Sequence, residues 1–85
     1  MQITVLYFAR LRETFQTPSE TLDLPTGVQS VAGLIAHLAA RGGAWSEELA
    51  GGKVFRVAVN QELVDFTAQL QADAEVAIFP PVTGG

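Results

Sequence analysis

The 85-residue chain contains no cysteine. This excludes disulfides, thiolate metal sites, a catalytic thiol and a persulfide held on a side chain. Histidine occurs once, at His37, so no Ser/His/Asp or Cys/His arrangement is available, and zinc or iron lacks a ligand set. Basic residues are also few. Arg10, Arg12, Arg41, Lys53 and Arg56 stand against nine Asp and Glu, for a net charge of -4. Without a clustered basic footprint, nucleic acid is not an expected partner, whereas an acidic domain suits docking on a basic protein surface. Long apolar runs are missing too: Leu34 to Ala40 is broken by His37 and falls far short of the ~20 residues that span a bilayer. Met1-Gln2-Ile3 leads straight into an alternating segment, with no basic n-region followed by an apolar h-region. No membrane association and a cytoplasmic location are therefore expected.

What is present is a core. Hydrophobic residues make up 48% of the chain and charged ones 16%, enough for one small domain that buries roughly 60% of its unfolded surface. Ile3 to Phe8 is β-branched and aromatic and predicts a first strand. Arg10 to Ser19 reads as a long connection closed by the turn Thr17-Pro18-Ser19, and Glu20 to Leu24 as a second strand. Ser30 suits a helix N-cap, and Val31, Leu34, Ile35 and Leu38 then recur at helical spacing. Gly42-Gly43 reads as the stop of that helix. A further helical turn is expected at Ser46 to Leu49, capped by Ser46 and closed by Gly51-Gly52, with Trp45 packed under the loop before it. Phe55 to Val59 predicts a third strand, Asn60-Gln61 a turn, Leu63 the centre of a short strand, and Glu75 to Phe79 the last strand. The order β-β-α-β-β, with first and last strands parallel at the centre, implies an α+β roll of ubiquitin-like type. Its mixed sheet has four or five strands, with one main helix packed on one face.

Alternation along the strands assigns the two faces. Ile3, Val5, Tyr7, Phe55, Val57, Val59, Val76 and Ile78 point toward the helix. Leu6, Phe8, Ala58 and Phe79 point away and form an uncovered apolar patch with Leu63 at its margin, which suggests a protein interface. A buried Tyr7 would need a partner for its hydroxyl. Residues 1–80 form the domain and 81–85 a tail. Pro80 and Pro81 stop the last strand and project the chain stiffly. From Pro80, through Val82, Thr83 and Gly84 to Gly85, the reach is about 20 Å if extended. The glycines would pass a narrow tunnel, and the carboxylate at Gly85, ionised at neutral pH with a reference pKa of about 3.3–3.7, reacts only after activation as an acyl phosphate or adenylate.

Val5 to Glu13, Ala58-Val59-Asn60-Gln61, and Asp73 through Phe79-Pro80-Pro81-Val82-Thr83-Gly84-Gly85 together resemble the small, sulfur-carrying subunits of molybdopterin synthases. The similarity covers essentially the whole chain, and the final seven residues are its most specific part. The resemblance implies a ubiquitin-like β-grasp fold and a chain that is not an enzyme on its own. An activating enzyme would adenylate Gly85 with ATP and exchange the adenylate for a thiocarboxylate. The sulfur would then go to cyclic pyranopterin monophosphate in the active site of the large synthase subunit. No cofactor is expected to be held permanently, and no metal. By the same resemblance, Phe8, Leu63 and Phe79 match apolar docking positions and Arg12 a basic one. Two alternatives share the activated tail: a sulfur carrier for thiazole or amino-acid biosynthesis, and a ubiquitin-like covalent protein modifier.

Overall fold

The computed structural model describes residues 1–81. In chain order its elements are β1 (Gln2–Tyr7), α1 (Ala9–Phe15), β2 (Ser19–Asp23), α2 (Val31–Ala39), α3 (Gly43–Ala50), β3 (Arg56–Val59), β4 (Glu62–Val64) and β5 (Glu75–Phe79). The sheet has five strands in the order β2-β1-β5-β3-β4. As the sequence predicts, β1 and β5 run parallel at its centre; the register sets Val5 opposite Val76 and Tyr7 opposite Ile78. The other pairs are antiparallel. A parallel pair needs a crossover long enough to return the chain to its starting edge, and the segment carrying α2 and α3 supplies it.

One face of the sheet is covered. Ile3, Val5, Tyr7, Val57, Val76 and Ile78 are buried there against Val31, Leu34, Ile35 and Leu38 of α2. Ser30 caps that helix as expected, its Oγ accepting from the Gly33 amide at 3.1 Å. The first two helix amides after the cap are satisfied by the chain preceding β5: Val31 N–H donates to the Ala68 carbonyl and Ala32 N–H to that of Phe66. The expected turn between β3 and β4 is made by Asn60 and Gln61, both in the left-handed region at φ 50° and 69°, which matches the twist of a tight hairpin.

Several expectations are corrected. Arg10 to Ser19 is not an open connection, because most of it is α1. This helix lacks a capping side chain, its N-cap being Phe8, and carries no acidic residue in its first turn. The signal it does offer is Leu11 and Phe15 four residues apart, the first buried and the second packed against the core. The element order is therefore β-α-β-α-α-β-β-β. Phe8 caps α1 instead of ending β1, and β2 begins and ends one residue earlier than expected, at Ser19 and Asp23. The last long helix starts at Gly43 with Gly42 as N-cap, not at Ser46. Gly42 and Gly43 have φ of 79° and 54°, so their role is the left-handed link between two helices. Trp45 lies on α3, where it stacks on Phe15 at 3.7 Å between ring centroids.

Two buried-edge charge clusters tie these elements together. The Tyr7 hydroxyl donates to Glu20 Oε2 at 2.7 Å, and Arg41 grips the same carboxylate with two bonds of 2.8 and 2.9 Å while lying over the Trp45 ring. Burial, reinforced by that bond, pushes the Tyr7 hydroxyl well above its ordinary range. Glu48 is buried on α3, and its two oxygens accept from Arg10 Nε at 2.8 Å and Lys53 Nζ at 2.7 Å. Arg41 holds Glu20 below the usual carboxylate range, and Lys53 followed by Arg10 does the same for Glu48 against the opposing effect of burial.

A carboxylate depressed in the folded state binds fewer protons there than in the unfolded chain. Its stabilisation is complete above the ordinary value near 4.5 and is lost as pH falls through the depressed one. Urea midpoints should thus be flat from pH 7 to 5 and fall steeply below about 4.5. Glu48→Gln should lower stability at pH 7 by about 1–2 kcal/mol, because Arg10 and Lys53 return to water when the charge is gone. It should also shallow the acid limb of the profile, and an unchanged limb would show that Glu48 does not carry it.

Candidate docking face and tail

The uncovered side of the sheet is built by the register. Leu6 of β1 lies opposite Ala77 of β5, Ala77 opposite Ala58 of β3, and Ala58 opposite Leu63 of β4. Opposed residues share a face, so a continuous apolar row crosses β1, β5, β3 and β4. The small side chains at its centre keep the row shallow. Toward the end where β5 finishes, Phe79 lies opposite Arg56. Phe8 comes up beside it, its amide donating to the Ile78 carbonyl at 3.2 Å. At the other end the face turns polar through Thr4 opposite Glu75.

Exposure separates these residues. Leu63 is 66% and Phe8 46% exposed, high values for large apolar side chains with a core available to them. Leu6, Ala58, Ala77 and Phe79 are half-buried. The sequence expectation of an apolar patch at Phe8, Leu6, Ala58, Phe79 and Leu63 therefore corresponds to one surface. Ala77 belongs in the middle of it, and alternation with Phe79 was the signal for it. Arg12 is exposed on α1, one turn beyond Phe8, whose carbonyl accepts the Arg12 amide at 3.4 Å. Phe66, 41% exposed and stacked on Phe55 at 5.4 Å between centroids, was not anticipated. It sits in no periodic element, so alternation could not assign it a face.

The route into the tail starts at this surface. Pro80 and Pro81 follow Phe79 directly and are half-buried. The expected tail residues Val82, Thr83, Gly84 and Gly85 lie outside the described residues. The chain turns from β1 into α1 at Ala9, with φ of 51°. A non-glycine residue in that region carries strain of order 1 kcal/mol, and here it sits between Phe8 and Arg10, where the face meets α1. His37 is half-buried on α2. Among the described residues no group of three or more His, Asp or Glu is placed to hold a metal ion, and no helix is long and apolar enough to cross a membrane.

The described surface thus offers a broad apolar row that ends beside Phe79 and Pro80. A family model described as the ThiS family matches residues 5–85. The molybdopterin synthase sulfur carrier subunit of Escherichia coli (strain K12) is 45% identical over 85 residues, covering 98% of this chain and 99% of that protein. Among solved structures, SAMP1 from Haloferax volcanii superposes with a TM-score of 0.80 at 24% identity over the full length of both chains. A chain in the complex of subunits 1 and 2 of the molybdopterin-converting factor from Helicobacter pylori gives 0.69 at 22% identity, again over both full lengths. The architecture is the ubiquitin-like β-grasp, as the element order and the resemblance implied.

Proposed function

The chain belongs to the ThiS family, and from that premise we propose that it is the sulfur carrier subunit of a molybdopterin synthase. The end-to-end match to the Escherichia coli sulfur carrier subunit carries this reading. The open face supports it, since a carrier without reactive side chains must work by docking and by delivering its terminus.

The reaction centres on Gly85. Its carboxylate attacks the α-phosphorus of ATP on an activating enzyme and expels pyrophosphate, leaving an acyl adenylate. Hydrosulfide then adds to the carbonyl and expels AMP, leaving a thiocarboxylate. Glycine suits both steps, because no side chain crowds the carbonyl. The apolar row, with Phe8 and Phe79 at its tail end, docks on the large subunit, and Pro80 and Pro81 direct the tail toward the active site there. The thiocarboxylate sulfur bonds to cyclic pyranopterin monophosphate, and water cleaves the acyl carbon–sulfur bond of the resulting thioester, which leaves the sulfur on the pterin and returns the carboxylate. Two sulfurs are needed per product, so two charged carriers are consumed in turn. Side chains that move protons on the pterin belong to the large subunit. Main-chain sulfur also accounts for a carrier that lacks cysteine.

The first test is the intact mass of the chain after incubation with ATP, its activating enzyme and a sulfur source. The expected gain equals replacement of one oxygen by sulfur, located at Gly85. A covalent modifier would instead form isopeptide-linked products with other proteins, and no gain with a competent activating enzyme would end the carrier reading.

A further inference from the structure

The distribution of the basic side chains goes beyond that reading. Arg10, Lys53 and Arg41 are each engaged by Glu48 or Glu20. Arg12 and Arg56 have no ion pair or side-chain hydrogen bond among the described residues, and both are exposed. Both stand at the end of the sheet from which Pro80 departs: Arg12 lies one turn beyond Phe8, and Arg56 is the cross-strand neighbour of Phe79. A chain of net charge -4 thus has two exposed arginines without an ion pair among the described residues, both on elements that meet at the Phe79 end of the sheet.

Arg56 has a second neighbour. It lines a surface groove of about 560 Å³ together with Phe55, Val57, Leu63, Val64 and Phe66. Asp65 also lines the groove, and its carboxylate accepts from the hydroxyl and the backbone amide of Thr67. The groove shares Leu63 with the apolar row, so it continues the docking face around the edge strand β4. An apolar groove beside an unpaired guanidinium has the chemistry to take an aliphatic or aromatic side chain flanked by a carboxylate, the guanidinium pairing bidentately with the acid.

We propose that Arg56 and this groove form a second anchoring point for the large synthase subunit, which inserts an apolar side chain next to an acidic residue. The proposal rests on the carrier reading above, and it makes Arg56 a specificity residue for the partner with no part in the chemistry at Gly85. Specificity here comes from charge as well as shape: a partner lacking the acid would leave the guanidinium desolvated and unpaired.

The test titrates the full chain and its Arg56→Glu, Arg56→Gln and Phe66→Ala variants against the large subunit by calorimetry at two salt concentrations. Thermal melts check that each variant is folded. Arg56→Glu should weaken binding by roughly tenfold or more, Arg56→Gln by less, and the difference should shrink at high salt. Phe66→Ala should weaken binding about fivefold, as removal of a groove wall does. Thiocarboxylate formation by the activating enzyme should be unchanged in all three. Wild-type affinity of Arg56→Glu for the large subunit would overturn the proposal, and so would a defect confined to thiocarboxylate formation, which would assign Arg56 to the activating enzyme. Failure of the unaltered chain to bind the large subunit would sink the carrier reading itself and is read separately, from the first titration.

Discussion

A single residue added after Gly85 abolishes sulfur transfer and leaves the fold intact. The proposed mechanism places all the chemistry on one main-chain carboxylate. Adding a residue converts that carboxylate to an amide and moves the new terminus about 3.3–3.6 Å further along. The new carboxylate also carries a neighbouring side chain if the addition is anything but glycine. Reach is limited by chain length: in the proposed docking Phe79 is held at the interface, and the residues from Pro80 to Gly85 can span at most about 20 Å. Transition states tolerate misplacement poorly, and an error of about 1 Å can cost a factor of about a hundred. The expected outcome is no mass gain with ATP and the activating enzyme, no product with the large subunit, and a melting curve superimposable on that of the parent. An extended variant with full activity would remove Gly85 from the mechanism.

Leu63→Asp separates docking from folding. Leu63 is the most exposed of the large apolar side chains on the described surface, so substitution should change stability by no more than about 0.5 kcal/mol. In the complex the same position would bury a charge in the apolar row, and association with the large subunit should weaken by about 2 kcal/mol or more, roughly thirtyfold. Phe79→Ala is the companion. Its ring is half-buried, so it should cost about 1–2 kcal/mol of stability and a larger loss of binding. Denaturant melts and titrations on the same samples give both numbers. A stability loss exceeding the binding loss at Phe79 would put that ring in the core and undo the assignment of the sheet faces.

The central sheet and α2 were legible because their signals are local and periodic. Alternation placed Ile3, Val5 and Tyr7 inside, and all are buried. Four apolar residues at helical spacing after Ser30 placed α2, and all are buried as well. Where periodicity is short or capping chemistry is missing, the reading failed. α1 has seven residues and an uncapped start at Phe8, and α3 begins on two glycines that look like a stop. In both cases tertiary contact replaces the missing local signal: Phe15 of α1 and Trp45 of α3 stack on each other, and Arg41 reaches back to Glu20. Such contacts join residues about 20–40 positions apart, which no window of sequence spans.

By itself the sequence determined that no cysteine thiol or disulfide is available, located the strands and the main helix, and singled out Gly85 as the residue to test. It could do so because residue types limit chemistry and because side-chain periods of 2 and 3.6 are written along the chain. Only the tertiary structure decided that Leu6, Ala77, Ala58 and Leu63 form one row, that Arg56 stands opposite Phe79, and that Phe66 stacks on Phe55 in the lining of a groove. Those relations depend on strand order and register. Both are set by which distant segments bury their apolar faces together, a global minimum of the packed chain.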